Sequence, residues 1–230
     1  MLNRLQELNY FSNSAILYIE NIPRVTTILS EMLHEDTLMY WANNLGFRRM
    51  SYKKALEQAA HIGTIVHNTA EDILINKNIE EYCGYYNNRE LNNSIQSFLH
   101  WYDQVKDHIE VLSMEVSLFD NAFKGTYDLL ARINDKIYLV DFKTSNHIGY
   151  RYMLQLAAYR YLIKTNLGID IDGTLILRLS KKEIKFEEFV LEFSNPEHLK
   201  FIEDCQEAFF SIVYAYHYRK YIENKFKDIF

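Results

Sequence analysis

Cysteine, proline and glycine are scarce in this chain of 230 residues, which has two cysteines, two prolines and seven glycines. Cys83 and Cys205 are too few for a disulfide framework, a four-cysteine zinc site or an iron–sulfur cluster. Few prolines and glycines favour regular secondary structure, and a content of 48% hydrophobic and 24% charged residues is typical of a folded globular chain. The sequence therefore predicts one compact domain over residues 1–230, in a reducing compartment.

The chain also lacks a long apolar run. No stretch approaches the ~20 apolar residues of a membrane span, and the N-terminus lacks the apolar core of a signal peptide. We therefore expect a cytoplasmic protein with no membrane partner. The formal net charge of -6 argues against a broadly basic surface, so that any binding of nucleic acid would depend on local patches.

Helical periodicity dominates the first part of the chain, and strand patterns follow it. Helices are expected after Pro23, up to a stop at Gly46, then over 48–76 (unbroken, or broken near Gly63), 87–105, 150–168, and from Asn195-Pro196 through Tyr221. Strands are expected at 15–21, 110–120, 123–133, 136–144, 172–180 and 185–193. The sequence therefore predicts an α/β fold with a mainly helical part at 1–108, a sheet core at 109–193 that carries the active site, and a C-terminal helix at 194–230. Its central sheet is mixed and flanked by helices.

Three charged residues interrupt the two apolar strands that flank the Asn134-Asp135 turn. Asp141 and Lys143 are two residues apart and face the same side of their strand, and the turn would bring Asp128 close to Asp141. Isolated charges in such strands cost several kcal/mol, so a partner is implied, either within a buried salt-bridge cluster or as a bound metal ion. Carboxylates suit Mg²⁺ or Mn²⁺, and a neighbouring lysine can polarise a phosphate. This trio favours phosphodiester hydrolysis.

Five short motifs occur in one order along the chain. They are PRVTTIL with LMYWANNLG, G-T-x-x-H-x-x-x-E at 63–71, G-x-x-D at 125–128, D-x-K at 141–143 and Q-x-x-x-Y at 155–159. With them the chain resembles the PD-(D/E)XK nuclease superfamily, in particular its RecB-like exonuclease branch. The N-terminal motif is similar to that of phage and mitochondrial genome maintenance exonucleases. The resemblance covers roughly residues 22–165 and implies a restriction-endonuclease-like core with an N-terminal helical elaboration.

The resemblance also implies roles for individual residues. The metal ligands would be His67, Asp128, Asp141 and the Phe142 carbonyl, and the catalytic residues would be Asp128, Asp141, Lys143 and, at the site margin, Glu115. Residues that order the site or contact DNA would be Gln155 and Tyr159, which share a helical face with Arg151 one turn earlier; Glu71, a further candidate, shares a helical face with His67. The proline that names the superfamily is absent before Asp128, and the iron–sulfur cysteines of some RecB-like nucleases are missing. A cluster-free enzyme that uses Mg²⁺ or Mn²⁺ is therefore expected.

Two basic runs are candidate substrate contacts. One comprises Arg48, Arg49, Lys53 and Lys54, and the other comprises Lys181, Lys182 and Lys185. Of these, Arg48 and Arg49 are predicted to bind DNA. Such runs are more often only solvated faces.

The sequence thus predicts a metal-dependent DNA exonuclease that acts in replication, recombination or repair within a bacterial or phage-infected cell. Its DNA would be single-stranded or have free ends, and replication or recombination proteins are expected partners. Two alternatives stay open: a structure-specific or RNA-directed endonuclease of the same fold, and a DNA-binding subunit whose catalysis is vestigial. The presence of all three charged residues in the two strands argues against the second.

Overall fold

The structure is a computed structural model that describes residues 22–33, 36–84 and 86–229. The strand expected at 15–21 lies outside these residues. The described helices are α1 (Val25–Met32), α2 (Asp36–Phe47), α3 (Tyr52–Asn76), α4 (Arg89–Val105), α5 (Tyr150–Leu167) and α6 (Pro196–Ile229), with a 3-10 turn at Glu80–Tyr82. The described strands are β1 (Ile109–Phe119), β2 (Lys124–Ile133), β3 (Lys136–Lys143), β4 (Gly173–Leu179) and β5 (Phe186–Glu192).

The five strands form one mixed sheet in the order β1-β2-β3-β4-β5. Neighbouring strands are antiparallel except β3 and β4, which are parallel because α5 connects them as a crossover. The β2–β3 turn falls at the predicted Asn134-Asp135, and both residues adopt positive φ, at 48° and 65°. Tight hairpins of this kind need positive φ, which Asn and Asp tolerate. The predicted mixed α/β fold is confirmed.

Helices cover both faces of the sheet. Along β3, Leu139 packs into one apolar core with α1, α5 and α6, and its neighbour Val140 packs into a second core with α3 and α4. This alternation follows from the two-residue period of a strand, which sends successive side chains to opposite faces. Because both faces are buried, the central strands are apolar almost throughout, and a charged residue there is exceptional.

The connection between α2 and α3 differs from the prediction. The α2 helix does not stop at Gly46, and the left-handed residue beyond its end is Arg49, with φ of 56°. The next helix begins at Tyr52, where Ser51 caps it by accepting a hydrogen bond from the Lys54 amide, so the prediction of a helix from residue 48 was wrong. It then runs through Gly63 without a break.

The C-terminal helix α6 continues to Ile229, beyond the predicted end at Tyr221. It is fixed to α1 by Arg219 and Lys220, which both pair with Glu31. A second attachment joins His217 Nε2 to the Ala122 carbonyl oxygen at 2.7 Å. No helix in the described part of the chain is both long enough and apolar enough to cross a bilayer.

Candidate active site

Three carboxylates lie in one row across the first three strands. The β1–β2 register pairs Met114 with Leu129, which sets the following residue, Glu115, opposite Asp128. The β2–β3 register pairs Leu129 with Val140, which sets Asp128 beside Asp141. Asp128 is 8% exposed and Asp141 only 1%. The sheet therefore holds three acids together at the edge where β3 ends.

The two buried aspartates are held by different partners. Asp128 Oδ2 accepts a hydrogen bond from the Phe142 amide at 2.7 Å, and Asp141 Oδ1 accepts one from Gln155 Nε2 at 3.2 Å. Asp141 Oδ2 lies 2.6 Å from Lys143 Nζ in an ion pair, yet within the described residues no donor meets this oxygen in hydrogen-bond geometry. Among the described residues, the buried Asp141 Oδ2 is therefore stabilised only by the positive charge of Lys143.

Lys143 is enclosed, with a side chain only 16% exposed. Its Nζ faces Asp141 on one side and lies 4.9 Å from the centre of the Tyr152 ring. Burial alone would lower the pKa of this lysine, but Asp141 and Asp128 outweigh burial and raise the pKa above its ordinary value. The group is therefore a fixed positive charge at neutral pH.

His67 reaches the row from α3, on the other side of the sheet edge. Its Nε2 lies 3.1 Å from the Phe142 carbonyl oxygen, to which it can donate, and its Nδ1 then faces Asp128 Oδ1 at 3.6 Å and Glu115 Oε1 at 3.8 Å. Burial lowers the pKa of the imidazole, but the Glu115 and Asp128 carboxylates outweigh this effect and raise the pKa. His67 and Lys143 together offset part of the negative charge of the three acids.

One face of α5 supplies the remaining side chains. Tyr152, Gln155 and Tyr159 are three and seven residues apart, so they share one helical face. Gln155 Nε2 lies 3.3 Å from the Tyr159 hydroxyl, and the Tyr159 ring packs closely against Gly125 of β2. A Cβ at Gly125 would come within 2.3 Å of Tyr159 Cε1, so this glycine is required by close packing.

Comparison with known proteins assigns this arrangement to a family. The model of the PD-(D/E)XK nuclease superfamily matches residues 38–225, most of the chain. The chain belongs to this superfamily. It is therefore a nuclease whose substrate is a nucleic acid, and such nucleases typically use divalent metal ions.

Other comparisons contribute little. No curated protein matches this nuclease. The crystal structure of SSO0001 aligns with 13% identity and a TM-score of 0.39, over 81% of this chain and 78% of that one. So distant a likeness carries no weight for fold or function.

The nuclease has donors that fit a divalent cation. One ligand atom each from His67, Glu115 and Asp128 lie within 4.8 Å of one another. Carboxylate oxygens with an imidazole nitrogen suit Mg²⁺ or Mn²⁺. Burial and then repulsion by Asp141 raise the pKa of Asp128 to about 6, which shows that its ionised form is unfavourable here. A bound cation would stabilise that ionised form. Together with the Asp141 oxygen that lacks a hydrogen-bond donor among the described residues, these groups fit a divalent cation.

Not every residue predicted for the site joins the row. Glu71 lies one turn beyond His67, and among the described residues its carboxylate is not part of the group of ligand atoms that could hold a metal ion. Arg151 is half-buried in the first turn of α5, and Arg48 and Arg49 are exposed in the connection before α3. Sequence reasoning missed Tyr152, although its position three residues before Gln155 was a readable signal.

Glu115 adopts a backbone conformation that suits glycine. Its φ is 51°, in the left-handed region, where a non-glycine side chain costs about 1–2 kcal/mol. Glu115→Gly and Glu115→Ala both remove the carboxylate, and we expect the glycine variant to be more stable by about 1 kcal/mol in urea unfolding without metal. Ser117 lies in the same strand and its φ is not positive, so there the alanine variant should be more stable than the glycine variant. Equal stability of the two Glu115 variants would contradict the strain.

The raised pKa of Asp128 predicts a pH dependence of the metal-free protein. Between about pH 4 and 6 the folded state binds this proton more tightly than the unfolded chain, so the contribution of Asp128 to the free energy of unfolding falls as pH rises through this window. Relative to Asp128→Asn, wild type should lose up to about 3 kcal/mol, measured by urea unfolding with a chelator present. His67 is protonated in both states over most of this range and contributes little. Parallel curves for the two proteins would refute the shift.

Proposed function

We propose that this nuclease is a metal-dependent DNA exonuclease of the RecB-like branch, formed by a single domain over residues 1–230 and acting in replication, recombination or repair. The observation that carries the proposal is the row of Glu115, Asp128 and Asp141, in which the two aspartates are buried, with Lys143 beside it. Carboxylates that hold a cation, next to a fixed positive charge, are the groups that phosphodiester hydrolysis requires. The RecB-like branch itself is supported by the order and spacing of the five sequence motifs.

We assign the holding of the cation to His67, Glu115, Asp128 and Asp141. The Phe142 carbonyl, which the motifs also suggest as a ligand, is engaged by His67 in this arrangement. When bound, a divalent cation would polarise the phosphate and lower the pKa of a coordinated water. The protein groups fix the geometry around it, since Gln155 orients Asp141 through its hydrogen bond.

Lys143 has a separate role in this proposal. Because its pKa is raised, it is a poor general base at neutral pH and serves as a charge. From the end of β3, its ammonium can bind a non-bridging phosphate oxygen and stabilise the negative charge that develops there. The nearby Tyr159 and Gln155 hold α5 against the strands and limit movement of the site.

A projecting arm supports the assignment of Arg48 and Arg49 to substrate binding. We define the arm as residues 39–61, comprising most of α2 and the first part of α3. In α2 the only buried side chain among those described is Leu45, and in α3 burial begins at Ile62. The arm leaves the body next to the site, because a Cβ on Gly63 would lie 3.8 Å from Thr144, the residue after Lys143.

The composition of the arm suits a nucleic-acid strand. The arm contains four basic residues and one acidic residue, Glu57, which pairs with one of them, although the whole chain carries a net charge of -6. Phe47 is 89% exposed and Tyr40 71%, so aromatic faces for base stacking lie beside the cations. The other basic run is a weaker candidate, since Lys185 pairs with Glu187 and burial lowers the pKa of Lys181.

A cleavage assay tests the proposed activity. End-labelled linear DNA, single- and double-stranded, is incubated with Mg²⁺ or Mn²⁺ beside a covalently closed single-stranded circle. We expect linear DNA to be shortened from an end, the circle to survive, and a chelator to abolish cleavage. Rapid cutting of the circle would favour the endonuclease alternative, preferential cleavage of RNA would favour the RNA-directed one, and full activity in excess chelator would exclude the metal.

Variants of the third strand separate the two proposed roles. Asp141→Ala removes a carboxylate, so Mn²⁺ affinity in calorimetry and cleavage should fall together. Lys143→Met keeps an apolar stem but removes the charge, so Mn²⁺ should bind at least as tightly while cleavage slows about 100-fold or more. Without metal, Lys143→Met leaves Asp128 and Asp141 to repel each other and should lower thermal stability, which added metal should largely restore. Near-normal cleavage by Lys143→Met would remove this lysine from the mechanism.

The arm predicts a dependence on substrate length. From His67 to Lys53 the helix spans fourteen residues, about 21 Å, which corresponds to about six stacked nucleotides. Arg48→Gln, Arg49→Gln and Lys53→Gln combined should therefore raise KM for a 20-nucleotide strand by about tenfold or more and leave a trinucleotide unaffected.

The matched control removes three cations at the end of the strands that lies away from the site: Lys106→Gln, just after α4, Arg132→Gln near the end of β2, and Lys136→Gln at the start of β3. It changes the net charge by the same amount, so an equal rise in KM would show a general electrostatic effect and contradict a role for the arm.

A further inference from the structure

The Lys143 ammonium lies between two different kinds of partner. On one side is Asp141 Oδ2 at 2.6 Å, and on the other is the face of the Tyr152 ring, whose centre is 4.9 Å from Nζ. Tyr152 is half-buried in the first full turn of α5 and packs against the core that this helix shares with α1 and α6. Its ring is therefore held in place independently of the lysine.

These positions create a conflict once Asp141 holds a divalent cation. In the metal-free protein the Lys143 ammonium is paired with the buried Asp141 Oδ2. A divalent cation bound at the same carboxylate would repel this ammonium. Lys143 must then withdraw from Asp141. Its side chain is only 16% exposed, so the neighbouring ring offers a nearer position than bulk water.

We propose that Tyr152 is a positioning residue whose ring face retains the Lys143 ammonium when Asp141 takes a divalent cation. The inference rests on the metal-dependent function proposed above. The negative face of an aromatic ring attracts an ammonium strongly enough to change an equilibrium constant by about two- to thirtyfold. Because the attraction to the ring would strengthen as the ammonium leaves Asp141, Tyr152 weakens the competition between Lys143 and the metal, and it keeps the lysine near the phosphate.

The ring and the hydroxyl of Tyr152 make different predictions. Tyr152→Phe keeps the ring face and should bind Mn²⁺ within about twofold of wild type. Tyr152→Leu removes the ring and leaves Lys143 paired with Asp141, so Mn²⁺ affinity should fall severalfold in calorimetry, and kcat should fall more than KM changes. If Tyr152→Phe binds Mn²⁺ as weakly as Tyr152→Leu, the hydroxyl is responsible and the inference is wrong.

A double-mutant cycle with Lys143→Met distinguishes positioning from packing. In that background no ammonium competes for Asp141, so Tyr152→Leu should leave Mn²⁺ affinity unchanged. The same loss of affinity in both backgrounds would show that Tyr152 acts through packing of α5 alone and would overturn the inference.

A series of fluorinated phenylalanines at position 152 tests the inference even if Tyr152→Leu does not fold. Phenylalanine with one, two or five fluorines at position 152 reduces the negative potential of the ring face with little change in shape, and Mn²⁺ affinity should fall in that order. Affinity that does not respond to fluorination overturns this inference alone. A wild-type protein that binds no Mn²⁺ overturns the proposed function and this inference with it.

Discussion

Repulsion among three neighbouring carboxylates is the constraint on which the rest of the site depends. Asp128 and Asp141 are almost fully buried side by side, with Glu115 next in the row. Burying such charges is unfavourable unless opposite charges lie close by. Lys143 and His67 supply them in the metal-free state, and both have raised pKa values as a result. An arrangement that is costly for stability and can accept a cation is typical of a site selected for chemistry.

The side chains that surround the acids and Lys143 come from helices on both faces of the sheet. The α3 helix brings His67 from one side, and α5 brings Gln155 and Tyr152 from the other. Because two packed cores fix these helices, the side chains reach the sheet edge without freedom to move away. Gly125 completes this arrangement, since only a residue without a Cβ lets α5 approach β2 so closely.

Charge is distributed unevenly between the site and its surroundings. The body carries the acids, whereas the arm is locally basic and exposes aromatic rings. A polyanionic strand would be attracted to the arm and would approach the acidic row only where Lys143 or a bound cation neutralises it. This separation is consistent with a chain of net charge -6 that nevertheless acts on nucleic acid.

The sequence by itself determined the features that depend on local spacing. Alternation along the strands, the Asn134-Asp135 turn and the two-residue spacing of Asp141 and Lys143 set the sheet and aligned the charges, because strand geometry is periodic. Only the tertiary structure decided which distant groups meet. The left-handed φ of Glu115, the contact of Gly125 with α5 and the place of Tyr152 beside Lys143 belong to the packed arrangement of strands and helices, not to any local repeat of the sequence. Local spacing places Tyr152 on the helical face of Gln155 but does not specify its contact with Lys143, so contacts of this kind became visible only when the helices were packed on the sheet.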